Sequence, residues 1–200
     1  SARWVDNRWH IDVGGTNPRT LTADVLVVAW GRLTEPAIPE ISRLETFDGP
    51  IFHTARWDHT TDLAGLRVGV VGTGASAVQV VPELAKTAAH VTLFQRSPAW
   101  IMPRGDRAYS PAEQRTLAKN PEKLAALRGA LYAEGEARFA SRSGDEVAAT
   151  AARETALSHL HSQVSDPQLR AQLTPDYAFG CKRVLLSDNF YPAVASDAVT

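Results

Sequence analysis

Arg67-Val68-Gly69-Val70-Val71-Gly72-Thr73-Gly74-Ala75-Ser76-Ala77 is the stretch whose reading decides the fold. It opens as a β-branched apolar run, breaks into a glycine turn of the form G-x-G-x-x-A, and continues as a segment predicted to be a helix from Ala75 to about Ala88. Pro82 removes one backbone donor inside that helix, so a kink or a locally lost hydrogen bond is expected there. A second β-rich run, His90-Val91-Thr92-Leu93-Phe94-Gln95, follows. Strand, glycine turn, helix and strand together make the βαβ unit of a dinucleotide-binding fold. Gly72 supplies the tight turn, Gly74 lets a pyrophosphate approach the backbone, and Ala77 is small enough for close helix–strand packing. The helix N-terminus offers its amides and dipole to the phosphate. Thr73, Ser76 and Gln79 complete the candidate cofactor contacts around the turn. A glycine string alone is a weak signal, and an ordinary glycine-rich strand–helix turn is the competing reading. The flanking strands and helix supply the context that favours the nucleotide.

The end of the second strand selects which nucleotide. A carboxylate at that place would accept hydrogen bonds from a free ribose 2′-hydroxyl. This chain has Gln95-Arg96-Ser97 instead. Arg96 can pair with a 2′-phosphate through a charge-assisted fork, and Ser97 can add a hydrogen bond, which points to NADP(H). The plainer alternative for Arg96 is a surface arginine at a strand end.

Working outward, residues 1–31 read as short antiparallel strands (Arg3-Trp4-Val5, then Trp9 to Val13) with a turn at Gly14, Gly15, Asn17 and Pro18. They feed an unbroken run, Asp24 to Ala29, that suits a strand covered on both faces. Residues 32–66 carry Pro36, Pro39 and Pro50 and read as an ordered linker, because Ile38, Ile41, Leu44, Phe47, Ile51, Phe52 and Trp57 need burial. Residues 106–174 are predicted helical. Ser110-Pro111-Ala112-Glu113 is a capping box with Pro at the first helical position, and Asn120-Pro121 and Asp166-Pro167 repeat the cap-then-Pro signal. Leu124, Leu127 and Leu131 share a helical face, as do Leu157, Leu160 and Val164. Strand character returns at Val184-Leu185-Leu186. The opening residue is not Met, and the chain starts directly in strand-like sequence, so an internal piece of a longer protein is expected.

Composition narrows the partners. Hydrophobic residues make up 44% and charged residues 22%, the balance of an ordinary globular protein. The formal net charge of −1, with no basic stripe, speaks against nucleic acid and anionic membrane. The longest apolar run, Val25 to Trp30, is far too short to span a bilayer. Cys181 is the only cysteine, which excludes an internal disulfide and fits a cytoplasmic protein. It reads as a packing residue. His159 and His161 are two apart, so on a helix they diverge, and no metal site is expected.

Phe47-Asp48-Gly49-Pro50-Ile51-Phe52-His53-Thr54-Ala55-Arg56-Trp57-Asp58 fits the pattern F-x-G-x-x-x-H-x-x-x-W-[P/D]. In this the chain resembles the type I Baeyer–Villiger monooxygenases, members of the flavin-containing monooxygenase superfamily. Other flavin-containing monooxygenases have Tyr or Phe where this chain has Trp57. The resemblance implies an α/β fold: a Rossmann-like NADPH-binding domain with a helical insert, plus the tail end of an FAD-binding domain. The corresponding segments are 1–33 for the FAD-domain remnant, 34–66 for the linker, 67–105 and 175–200 for the NADPH domain, and 106–174 for the insert. Gly180-Cys181-Lys182-Arg183-Val184-Leu185-Leu186-Ser187-Asp188 looks like the family segment in which the Lys contacts the 2′-phosphate and the Arg reaches the flavin. Carried over, Lys182 joins Arg96 as a phosphate clamp. Arg183 becomes the catalytic cation, holding the negative charge of a C4a-peroxyflavin without protonating it. By residues alone, a basic pair at a strand edge is the alternative. Val28-Ala29-Trp30-Gly31-Arg32-Leu33 resembles the family segment closing the FAD domain, with flavin contact through Gly31, although Trp30 stands where a small residue is usual.

The implied cofactors are FAD and NADPH, and the implied reaction inserts one oxygen atom of O2 beside a ketone carbonyl. Oxidation of nitrogen or sulfur, a plain NADPH reductase, and a non-catalytic NADP-binding module are the rival readings. His53 is read as a satisfied structural residue rather than an acid or base.

Overall fold

Asp6 and Asn7 both take positive φ, 50° and 61°, as a two-residue type I′ turn requires. They join β1 (Ala2–Val5) to β2 (Arg8–Val13), and β3 (Arg19–Ala23) completes an antiparallel sheet of order β1-β2-β3. The register sets Trp4 opposite Trp9, whose rings meet edge to face at 5.4 Å. The alternate face is polar: Asp12 accepts from the Ser1 and Thr20 hydroxyls and from Arg3. Those hydroxyl bonds, helped by the Arg3 charge, hold its carboxyl below the ordinary carboxylate range. This sheet lies in the first of two compact units, Ser1–His59 and Thr60–Thr200. The structure, a computed structural model, describes residues 1–31, 33 and 35–200. Arg32 and Thr34, which fall in the segments expected to close one domain and begin the linker, lie outside the described residues.

Two expectations for the first unit are corrected. Asp24 to Ala29 forms no strand, and Val25, Val27 and Val28 are exposed. Their run has the composition of a strand covered on both faces, but it pairs with none of the strands described in this unit. Of the linker side chains expected to be buried, Ile38, Ile41, Phe47 and Ile51 are exposed, while Leu44, Phe52 and Trp57 are half-buried. Beyond two single 3-10 turns the unit has no helix among its described residues to pack over these groups.

In the second unit, β4 (Arg67–Val71) and β5 (His90–Phe94) pair in parallel, with Val68 beside Val91. Residues 198–200 join the other edge of β5: the Val91 amide donates to the Ala198 carbonyl at 2.8 Å and the Leu93 amide to Thr200 at 2.7 Å. The spatial order is therefore β4, β5, then the strand at 198–200, the order of one half of a doubly wound fold. β5 lies centrally, and Val91 is fully buried. Between β4 and β5 runs α1 (Ala75–Leu84), with Ala77, Val78, Val81 and Leu84 buried. The helix stops four residues short of Ala88. Pro82 stands near its end, so the missing donor falls in the last turn, and Ala85 and Ala88 still bond back to Val81 and Leu84.

The helical segment leaves and re-enters through a narrow neck. β6 (Ile101–Met102) carries the chain out, and β7 (Leu185–Leu186) brings it back, paired in parallel. Between them lie α2 (Pro111–Lys119), α3 (Pro121–Ala137), α4 (Glu146–Gln163) and α5 (Pro167–Leu173). The capping box at Ser110 forms, and Asn120 and Asp166 cap the helices that their prolines open. On α4, Leu160 is buried, Val164 at its C-cap is buried, and Leu157 is half-buried. The stripe on α3 departs from expectation: Leu124 and Leu131 are exposed, because α3 buries no residue. A short α6 (Phe190–Val194) follows β7, packs on α1 and leads into residues 198–200. No helix among the described residues is long and apolar enough to cross a membrane.

Candidate nucleotide site

Gly72 has φ +100°, a conformation that an L side chain rarely adopts, and its amide donates to the Phe94 carbonyl at 2.9 Å. The turn is thus tied to the end of β5. Gly74 is the N-cap of α1 and brings no capping side chain, whereas Ser110, Asn120, Asp145 and Asp166 each cap theirs. The first amides of α1 are consequently left for an anion, and no atom would stand within 4 Å of a Cβ at Gly72 or Gly74. Open backbone of this kind fits a pyrophosphate. Ala77 is buried, while Ser76 is exposed at the mouth of the turn.

Thr73 and Gln79 each make a side-chain bond within the protein. Thr73 is buried, and its hydroxyl donates to the Ser97 carbonyl at 3.0 Å. Gln79 is exposed and folds back on its own helix, donating to the Ala75 carbonyl at 2.8 Å.

Ser97 is the hub. Besides receiving Thr73, its Oγ accepts from Lys182 Nζ at 2.8 Å, a contact across 85 residues of sequence. Lys182 also lies over the Tyr177 ring, 4.2 Å from the centroid. Tyr177 donates its hydroxyl to the Pro98 carbonyl at 3.0 Å, and its own carbonyl accepts from Trp100 Nε1 at 3.0 Å. Burial raises the Tyr177 phenol above its ordinary pKa, so the ring is neutral. Trp100, buried, also packs against Phe179. Lys182 is thereby delivered to the strand end where Arg96 stands exposed. Among the described residues Arg96 and Arg183 form no ion pair. Arg183, next to Lys182, is exposed. Cys181, expected to pack, is exposed as well, carried outward on the turn at Gly180 (φ +89°).

Gly31 lies in the first unit at φ +73°, with open space where a Cβ would be. In the same unit His53 caps a 3-10 turn, its Nδ1 accepting from the Ala55 amide at 3.1 Å. This is a structural use of the histidine. Trp57 meets Phe52 edge to face at 5.1 Å. The exposed Phe47 ring folds over Gly49, where a Cβ would come within 2.5 Å of it unless the ring moved.

Tyr177, Trp100 and Asp188 hold the site together, and the sequence reading assigned them no role. An aromatic residue five places before a basic pair was the available signal for Tyr177. Asp188 follows β7 and accepts from the Arg104 and Asp106 amides at 2.8 and 3.0 Å, clamping the neck.

A family profile described as flavin-binding monooxygenase-like matches residues 9–119. The chain belongs to this family. Among its relatives, a Baeyer–Villiger monooxygenase of Streptomyces coelicolor is 46% identical over 96% of this chain and 36% of its own length. One from Pseudomonas aeruginosa is 43% identical over 94% and 35%. The chain thus spans about a third of the length of these relatives. Among solved structures, OTEMO in complex with FAD and NADP matches all of this chain and 45% of its own, with a TM-score of 0.74 and 28% identity. Family membership accounts for the mixed α/β architecture and places the glycine turn among relatives named as monooxygenases.

Proposed function

We propose that the chain is the NADPH-binding part of an FAD- and NADPH-dependent Baeyer–Villiger monooxygenase. The carrying observation is the convergence at Ser97: the glycine turn reaches it through Thr73, and Lys182 reaches it from the far side of the helical segment. The names of the relatives support the reaction class, and the OTEMO complex supports the cofactor pair. In this reading residues 1–33 end an FAD-binding domain and 34–66 form the linker. Residues 67–105 and 175–200 build the NADPH domain, and 106–174 are the insert that walls the substrate side. The exposed apolar groups of the first unit are covered by the remainder of a longer protein.

Each residue has a distinct task. The amides at Gly74, Ala75 and Ser76 receive the pyrophosphate. Arg96, Ser97 and Lys182 receive the 2′-phosphate, two cations and a hydroxyl for one dianion. Bound NADPH supplies a hydride and FAD supplies the site of oxygen activation; the protein contributes positioning and charge. A guanidinium does not give up its proton in the working pH range, so Arg183 would hold negative charge near the flavin without acting as an acid. The overall change is ketone, O2, NADPH and a proton to ester or lactone, NADP⁺ and water.

Product analysis on the full-length protein tests this directly. A yellow protein that consumes NADPH and O2 and turns a ketone into an ester is expected. Sulfoxide formation from a sulfide, with the ketone untouched, would move the assignment to heteroatom oxidation, which Trp57 disfavours. No oxidation of either would leave only nucleotide binding.

A further inference from the structure

We infer that Tyr177 is a positioning residue for Lys182 and sets the preference for a nucleotide bearing a 2′-phosphate over one without. The inference rests on the nucleotide reading above. Lys182 is exposed, and a lysine on a flexible four-carbon stem samples many rotamers unless something holds it. Two contacts hold this one: Ser97 Oγ at 2.8 Å and the face of Tyr177 at 4.2 Å. The ring is itself fixed at its hydroxyl, by Pro98, and at its backbone, by Trp100.

The chemistry of the support matters. A carboxylate could hold the ammonium too, but it would neutralise the lysine and repel an incoming phosphate. An aromatic face attracts the cation through its quadrupole and leaves the full positive charge in place. Lys182 makes no ion pair among the described residues. Because Ser97 Oγ accepts from Lys182, its own hydroxyl proton stays available to a phosphate oxygen. The arrangement is a preformed receptor for a dianion, with the tyrosine as its floor.

The test is equilibrium binding of 2′,5′-ADP and 5′-AMP to the full-length protein and three variants: Lys182→Met, Tyr177→Leu and Tyr177→Phe. Tyr177→Leu is expected to weaken 2′,5′-ADP by roughly threefold to tenfold while leaving 5′-AMP nearly unchanged, and Tyr177→Phe, which keeps the ring, to retain most of the preference. Equal weakening of both ligands, or of neither, would overturn the inference. If the leucine variant does not fold, phenylalanines of increasing fluorination at position 177 replace it. The ratio of the two affinities should then fall as the ring quadrupole is withdrawn, and a flat series overturns the inference. Lys182→Met separates the two levels. If it leaves the ratio unchanged, the nucleotide reading at Lys182 fails. If it collapses the ratio while the position 177 variants do not, only the role of Tyr177 fails.

Discussion

Arg183 and Glu113 are both exposed to water or nearly so, yet they call for different tests, because one is argued from chemistry and the other from local bonding. For Arg183, loss of a preorganised charge at a developing anion typically costs on the order of a hundredfold to a thousandfold in rate. Arg183→Ala in the full-length protein is expected to lose ester formation on that scale while binding NADPH nearly as well as the parent. Equal losses in both would make it a structural residue. Glu113 closes the capping box of α2: two bonds from the Arg107 guanidinium, at 3.1 and 2.7 Å, and the Ser110 contacts lower its carboxyl to about 2. A lowered carboxyl stabilises the folded form above the ordinary range near ~4.3, and that contribution is lost as pH falls through about 2. NMR titration of Glu113 should show a midpoint near 2, and Arg107→Ala should return it toward the ordinary value. An unshifted midpoint in the parent would contradict the bonding described.

The glycine turn and the neck show how elements are held. Gly72→Ala places a methyl group at φ +100°, where backbone strain of roughly 1–3 kcal/mol is expected. Thermal melting should register that loss, and an unchanged melting temperature would mean the turn relaxes at no cost. Asp188 carries the neck. Burial pushes its carboxyl up, but amide bonds from Asp106, Arg104 and Gly105, with His159 nearby, more than offset this and leave it below its ordinary value. Its contribution is accordingly present above the ordinary carboxylate range and fades as pH drops through the lowered value. Asp188→Ala removes these amide bonds to a charged acceptor, a loss of at least about 2 kcal/mol, measurable by denaturant unfolding. These elements also show what sequence could reveal. Gly72, Gly74 and the caps at Ser110, Asn120 and Asp166 were legible because each is a local backbone demand met by one residue type. The strand at 198–200 was not, since three residues joined to β5 carry no period of their own. The Asp24 to Ala29 run misled for the opposite reason: composition states a need for cover, and only tertiary neighbours can meet it. Tyr177 left only its spacing of five from Lys182, because its anchors at Pro98 and Trp100 lie almost eighty residues away.

Across the full chain, what matters is that cations from separate segments meet at one strand end. Arg96 arrives with β5, and Lys182 returns through the helical segment and the neck, so the proposed nucleotide recognition requires the helical segment to be in place. Family membership fixes the class, and the ketone reaction follows from the relatives as a proposal. The nucleotide preference is proposed from the contacts at Ser97 on this chain. The most direct measurement is flavin reduction by NADPH and by NADH in the full-length protein, beside an Arg96→Ala, Lys182→Met double variant. With charge-assisted bonds worth about 1.5–3 kcal/mol each, the parent should prefer NADPH by at least roughly a hundredfold in kcat/KM, and the double variant should lose most of that preference while keeping its rate with NADH. Equal use of the two nucleotides by the parent, or a preference that survives removal of both cations, would contradict the account.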